Sequence, residues 1–127
     1  MKRDMDLVRT ILLAIEDQPG PAVAGYLEIP GVELGPLTHH LHLLMDAGYV
    51  HAYEARDAST DYGFLLQEAS LTWAGHEFLD SVRDPEIWQK TKVGASKVGS
   101  WSVSLLGELA KGYIRQKAAE LGLPILA

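Results

Sequence analysis

Apolar residues recur at helical spacing in five stretches of the chain, and other stretches carry the residue types of short strands. The first helix is predicted to follow Asp4 or Asp6, since either aspartate can cap it. Its core-facing residues are Val8, Ile11, Leu12 and Ile15. Two prolines, Pro19 and Pro21, cannot continue this helix, and a short strand is predicted over 22–29.

The central helix is predicted to run from Pro36 to Ala47. Pro36 suits a helix start because its missing N–H would have no partner there, and Gly48 suits the left-handed residue that closes a helix. The face that points to the core carries Leu37, Leu41, Leu44 and Met45. The opposite face is expected to be exposed and carries Thr38, His39, His42 and Asp46.

A β-hairpin is predicted directly after this helix, with strands over 49–56 and 64–71 and turn-forming residues at 57–63. A helix that closes at Gly48 and passes at once into a hairpin is typical of the third helix and wing of a winged helix-turn-helix domain. Little room remains before Pro36 for a second helix, so the domain is predicted to be a pared-down variant.

Three more helices are predicted after the hairpin. Thr72 caps the first, which runs to about Arg83 and carries an apolar row of Ala74, Phe78 and Val82 with Leu79 beside it. Asp84 caps the second, and Ser100 or Ser102 caps the third, which ends near Leu121. Four large apolar residues near the hairpin are expected in the core: Trp73, Phe78, Ile87 and Trp88.

The predicted fold class is therefore α+β, a winged helix-turn-helix-like domain with additional C-terminal helices. The domain covers 1–83, and the helical extension covers 84–127. At 127 residues and 47% apolar content the chain can bury a core without disulfides, and it contains no cysteine. Neither a secretory signal nor an 18-residue apolar span is present, so a cytoplasmic protein without a membrane partner is expected.

The net charge of −6 argues against non-specific coating of nucleic acid, which basic groups drive. The charge is uneven. Residues 1–88 carry five Lys or Arg and fifteen acids, which gives −10, whereas 89–127 carry six and two, which gives +4. A basic surface is therefore expected mainly at the C-terminal end.

The exposed face of the central helix is where a winged helix reads base edges, so the candidate DNA-binding residues are Thr38, His39 and His42, with Arg56 from the wing. This face lacks Arg, Asn and Gln, which make the commonest base contacts. His39 and His42 have a spacing that a metal could use, but no third ligand joins them, so no metal is expected. Next to them, His40 is expected to be a hydrogen-bonded histidine at the edge of the core.

No catalytic grouping of serine, histidine and aspartate is evident, and the scattered glycines do not form a phosphate-binding loop. The sequence therefore predicts neither an enzyme nor a cofactor. The last helix carries an apolar stripe that needs a partner surface, either its own domain or a second chain. The sequence favours a homodimer through Leu106, Leu109, Ala110, Tyr113 and Ile114.

Three segments carry a resemblance: Met1 to Arg9, His40 to Gly48, and the block from Leu71 to Lys92 that begins Leu-Thr-Trp-Ala-Gly-His-Glu-Phe-Leu-Asp. They resemble an uncharacterised family of short phage, prophage and bacterial proteins. The resemblance implies a winged-helix-like fold and supplies no catalytic residues.

Two functional hypotheses follow from these observations. The first is a small DNA-binding regulator of phage or mobile-element origin. The second is a non-catalytic protein-protein interaction module on the same scaffold, which docks on a host or phage protein. The acidic first part of the chain motivates the second hypothesis, because it repels DNA and can attract a basic partner.

Overall fold

Side-chain caps determine where three of the helices begin. The Asp4 carboxylate accepts hydrogen bonds from the N–H groups of Asp6 and Leu7, and Asp84 does the same for Glu86 and Ile87. The Ser102 hydroxyl accepts from the Leu105 N–H. These three predicted caps are confirmed.

The computed structural model describes residues 1–124. Within them the protein is α+β, with five helices and one two-stranded antiparallel sheet. The elements are α1 (Met5–Glu16), α2 (Leu34–Asp46), β1 (Val50–Arg56), β2 (Phe64–Leu71), α3 (Trp73–Val82), α4 (Pro85–Val98) and α5 (Val103–Glu120). The predicted helices and hairpin are all present, although α2 begins two residues before Pro36, at Leu34.

The chain divides into two units, Met1–Glu77 (unit 1) and Phe78–Ala127 (unit 2). The division falls inside α3, whereas the sequence placed it after Arg83. In unit 1, α1 and α2 pack against each other and both contact β2. The predicted apolar stripe of α1 is buried, as are Leu37, Leu41 and Leu44 of α2. This core holds α2 against the hairpin.

The hairpin is regular except at one bulge. Paired residues run from Arg56 opposite Phe64 to Val50 opposite Leu71, and the register shifts between His51 and Tyr53. Across the bulge Glu68 has a φ of 54°, and its N–H donates to the Gly25 carbonyl. The bulge therefore ties β2 to the segment that precedes α2.

That preceding segment is not the strand predicted over 22–29, and this prediction is wrong. A single isolated bridge pairs Tyr26 with Gln67, and the Val23 N–H donates to the Ala69 carbonyl at 2.8 Å. Gly25 between them has a φ of 73°, which interrupts an extended ladder. The segment follows the edge of β2 without forming a strand.

Unit 2 contains two antiparallel helices. Lys117 near the end of α5 lies 3.1 Å from the Asp84 carboxylate at the start of α4. α4 and α5 contact each other, and Ile87 and Trp88 of α4 are buried, as are Leu106 and Ala110 of α5. The inward placement of Ile87 and Trp88 was predicted and is confirmed.

Side chains of α5 lie directly over Gly94 of α4. A Cβ at this position would lie 2.7 Å from the Tyr113 hydroxyl oxygen and 3.4 Å from a Leu109 methyl carbon. Gly94 therefore lets α5 pack closely, and it lies inside α4 rather than in a connecting segment. None of the helices in residues 1–124 is both long and apolar enough to cross a membrane.

Candidate functional site

His40 of α2 is a buried histidine whose two ring nitrogens both have partners. Its side chain is 2% exposed, Nδ1 lies 2.7 Å from the Pro36 carbonyl oxygen, and Nε2 accepts a hydrogen bond from the Asp4 N–H at 2.9 Å. The ring must donate from Nδ1 and accept at Nε2, which defines the neutral tautomer. The predicted hydrogen-bonded histidine is confirmed, and it joins α2 to the start of α1.

The face of α2 that was expected to be exposed is partly covered. Thr38 is buried, and the His42 ring packs edge-on against Phe64 of β2 at 5.5 Å. The same ring lies 3.6 Å from the Glu54 carboxylate of β1. The prediction of an exposed face is therefore wrong at Thr38, whereas His42 keeps 38% of its side chain exposed beside the hairpin.

His39 is half-buried, and its ring packs edge-on against that of His40 at 5.3 Å. Asp46, near the end of α2, is exposed. The DNA-binding candidates on α2 thus do not form one open polar surface. No group of three or more metal-binding side chains occurs in the described part of the chain, so His39 and His42 gain no third ligand there.

Arg56, the candidate wing residue, is exposed at the end of β1. The turn that follows it is organised by an acid, since the Asp57 carboxylate accepts hydrogen bonds from the Ser59 hydroxyl and the Ser59 N–H. These hydrogen bonds lower the pKa of Asp57. Arg56 is therefore adjacent to a firmly ionised carboxylate, which weakens it as a phosphate contact.

Trp73, expected in the core, is instead 82% exposed at the start of α3. The buried side of α3 agrees with the predicted row at Phe78, Leu79 and Val82 and differs from it in the first turn. Gly75, Phe78, Leu79 and Val82 are buried, and Ala74 is exposed. The periodicity of the helix was predicted correctly, but the side that faces the core was misplaced at its first turn.

Contacts of Thr72 and Gly75 explain why the first turn of α3 differs from the prediction. The Thr72 N–H donates to the Tyr49 carbonyl at 3.0 Å, and its hydroxyl donates to the Gly48 carbonyl and accepts from the Gly75 N–H. A Cβ on Gly75 would collide with the Tyr49 carbonyl. We call these four residues the Thr72 clamp. The clamp holds the first turn of α3 against the residues that directly follow α2. Trp73 is thereby left exposed to solvent.

Sequence reasoning missed the Thr72 clamp, although its signal was present. The block that carries the resemblance includes Leu71-Thr-Trp-Ala-Gly75, in which a cap threonine precedes a glycine by three residues. Thr72 was recognised as a helix cap, but the glycine was not recognised as a point of close backbone approach. Only the folded chain shows that Gly48 and Tyr49 lie opposite them.

Most of the residues proposed for dimerisation make contacts within the chain. Leu106 and Ala110 are fully buried in unit 2, and Leu109 and Tyr113 pack over Gly94. Ile114 is exposed. The stripe therefore covers α4, one of the two alternatives that the sequence left open, and dimerisation through its outer part stays a prediction.

The family described as "Hypothetical protein (DUF2513)" matches residues 2–102. An "Uncharacterized protein" of Haemophilus influenzae is 34% identical over 122 residues, which cover 94% of this chain and 100% of the relative. No solved structure gives a significant match. Because the family match extends over most of its length, the chain belongs to the DUF2513 family.

Proposed function

We propose that unit 1 is a pared-down winged helix that serves as a non-catalytic protein-protein interaction module. The order of its elements supports the winged-helix interpretation: α1, then α2, then a hairpin that packs on α2. The connection over 17–33 replaces the second helix of the full motif. The proposal concerns binding, because no catalytic grouping is apparent among the described side chains.

The observation that carries the proposal is the position of Trp73. Tryptophan is the residue type most enriched at the energetic centres of protein interfaces, where a large rigid side chain enters a pocket of the partner. Here the Trp73 side chain is 82% exposed. Its backbone lies between Thr72 and Gly75, whose hydrogen bonds hold it in place. A preorganised anchor of this kind loses little conformational freedom on binding.

The electrostatics of unit 1 support a protein partner over DNA. Residues 1–77 carry four Lys or Arg and twelve Asp or Glu, which gives a formal charge of −8. α2 contains no Lys or Arg, Thr38 is buried, and the ring of His42 packs against Phe64 of the hairpin. An acidic surface steers a basic protein toward it and repels phosphates.

The experiment compares the full-length protein with Trp73→Ser and with the control Tyr53→Ser, which alters another exposed aromatic residue of unit 1. Each is immobilised and incubated with a nuclease-treated bacterial lysate. We expect a specific protein to be retained by the wild type and the control and lost by Trp73→Ser. Retention that does not depend on Trp73, or that disappears with nuclease treatment, would contradict the proposal.

A small DNA-binding regulator, the other hypothesis from the sequence, is the second candidate. The observation that favours it is the exposed Arg56 beside the hairpin turn, where a wing grips phosphate. It predicts that labelled genomic fragments gain anisotropy, that salt reduces the gain, and that Arg56→Gln weakens it. Origin in a phage or mobile element would suit either function, and retention of DNA alone would favour this one.

The oligomeric state forms a separate proposal. A homodimer through α5 would use the outer residues Ile114 and Leu121, both exposed, since Leu106 and Ala110 are buried against α4. Light scattering after size exclusion distinguishes the 13.9 kDa monomer from a doubled mass. A doubled mass that Ile114→Asp reduces to the monomer supports the dimer, and a monomer at tens of micromolar contradicts it.

A further inference from the structure

Unit 1 contains an apolar groove between the segment 26–32 and the first turn of α2. Its volume is about 620 Å³. The buried side chains of Leu27 and Leu37 form its floor. Its walls are formed by the more exposed side chains of Tyr26, Ile29, Val32 and Leu34. This groove leaves apolar surface in contact with water, and Tyr26 is 45% and Leu34 36% exposed.

The backbone around the groove explains why it stays open. Tyr26 makes an isolated bridge to β2, and the chain then turns at Gly31, where φ is 80°, before it enters α2. Gly31 allows this turn because it has no side chain to clash at positive φ. The segment therefore passes over the side of α2 without a regular ladder that would close the space.

One acidic residue belongs to the lining of the groove, and others lie near its lining residues. Glu28 lines the groove and hydrogen-bonds with the Tyr26 hydroxyl, while Asp57 is close enough to act on the same phenol. The hydrogen bond with Glu28, together with the negative charges of Glu28 and Asp57, raises the pKa of Tyr26. Glu33 immediately precedes Leu34 as the N-cap of α2. No Lys or Arg is among the lining residues.

We propose that this groove binds an amphipathic, basic segment of a partner protein, with its apolar side chains between Tyr26, Ile29 and Leu34 and a cationic side chain at Glu28, the acid of the lining. The inference rests on the proposed interaction function and names the class of partner. Complementarity of charge selects this occupant, because the groove combines apolar walls with acids in a unit of formal charge −8. Phosphates would be repelled by the same acids.

Three labelled synthetic peptides test the proposal by fluorescence anisotropy with the full-length protein. One is an amphipathic helix of Leu and Lys, the second replaces every Lys by Glu, and the third replaces every Leu by Gly. The first should bind, and the other two should bind at least about tenfold more weakly. The second peptide lacks the positive charges that the acids attract, and the third lacks the apolar side chains that fill the groove. Equal binding of all three, or of the two cationic peptides, would overturn the proposal.

Variants of the groove locate the binding. Leu34→Ser should lower the affinity for the Leu/Lys peptide about tenfold. It should leave the fold intact, since serine is well tolerated at a helix start. Glu28→Lys should shift the preference toward the Leu/Glu peptide. The matched control Tyr53→Ser changes an exposed aromatic residue outside the groove lining and should bind as the wild type does. An unchanged affinity in both groove variants would overturn the proposal.

Two further outcomes separate this proposal from the one on which it rests. Trp73→Ser should keep its affinity for the Leu/Lys peptide, since Trp73 does not line the groove. If no peptide binds but the wild type still retains a protein that Trp73→Ser loses, the groove proposal fails and the interaction function stands. If Leu34→Ser instead abolishes self-association of the protein, a second copy is the occupant and the proposal is overturned.

Discussion

In unit 1, single contacts between polar or backbone atoms join the parts of an apolar core that α1, α2 and the hairpin share, whereas in unit 2 the main contact is one interface between α4 and α5. In unit 1 the Asp4 N–H meets His40, and the Thr72 clamp joins α3 to the end of α2. In unit 2, α4 and α5 contact each other, and both helices bury apolar residues. A local change should therefore cost more in unit 1, because no neighbouring contact can substitute for the lost one.

Gly75→Ala should have the largest effect. Its methyl group would collide with the Tyr49 carbonyl, so the backbone of α3 or of the hairpin start must move. We expect a loss of about 2–4 kcal/mol in the free energy of unfolding, in the range of severe overpacking. Urea unfolding followed by circular dichroism measures it.

The control for this change is Gly107→Ala in α5, where a Cβ would meet no atom within 4 Å. The same substitution should there stabilise unit 2 by about 0.5–1 kcal/mol, because alanine favours a helix over glycine. Equal losses in the two variants would contradict the contrast between the units.

His40→Ala should come next, with a loss of about 2–3 kcal/mol. The change leaves the Asp4 N–H without its acceptor and creates a cavity in the core of unit 1. His39→Ala, at the half-buried neighbouring position, should cost less than about 1 kcal/mol. Thermal unfolding followed by circular dichroism compares them, and similar melting temperatures would show that the His40 contacts are dispensable.

Gly94→Ala should destabilise unit 2 by only about 1 kcal/mol, because its methyl group meets the movable end of Tyr113 rather than backbone. Adding Tyr113→Phe removes the hydroxyl oxygen that lies 2.7 Å from that methyl position. The double variant should therefore recover most of the loss. A double-mutant cycle in urea tests this, and additive effects would show that the close approach is not the cause.

Lys117→Met should have the smallest effect, since both partners of the Lys117–Asp84 pair are partly exposed. Hydrogen bonds from the Ile87 N–H and then from Lys117 lower the pKa of Asp84, and the hydrogen bond to Asp84 raises that of Lys117. The stabilisation from Asp84 is present above its unfolded pKa and is lost as pH falls through the lowered one. The stabilisation from Lys117 is present below its unfolded pKa and is lost as pH rises through the raised one.

The melting temperatures of the wild type and Lys117→Met should therefore differ slightly near neutral pH and converge in strong acid and strong base. A difference that persists in acid would mean that Lys117 contributes through packing of its methylene groups rather than through charge.

The sequence predicted what depends on neighbours along the chain. The caps at Asp4, Asp84 and Ser102, and the apolar stripe of α1, follow from spacing within one or two turns. The same local patterns predicted the hairpin and its turn. These features need no knowledge of distant contacts.

The features that the sequence did not predict depend on contacts with parts of the chain that are distant in sequence. A helical wheel shows one apolar side of α2, but Thr38 on the opposite side is buried as well and was wrongly expected to be exposed, and the hairpin partly covers His42. Trp73 was expected inside because large aromatic residues usually are, yet the clamp at Gly75 decides which side of α3 is buried. The groove is formed by a segment whose path depends on Gly25 and Gly31.

The distribution of the three tryptophans determines which unit an optical unfolding experiment reports. Unit 1 contains Trp73 alone, which is already 82% exposed in the folded protein, whereas Trp88 of unit 2 is 3% exposed. Intrinsic tryptophan emission therefore changes when unit 2 unfolds and stays almost constant when unit 1 does. A fluorescence melt would report unit 2 alone, and a difference from the circular dichroism melt would measure how independently the two units unfold.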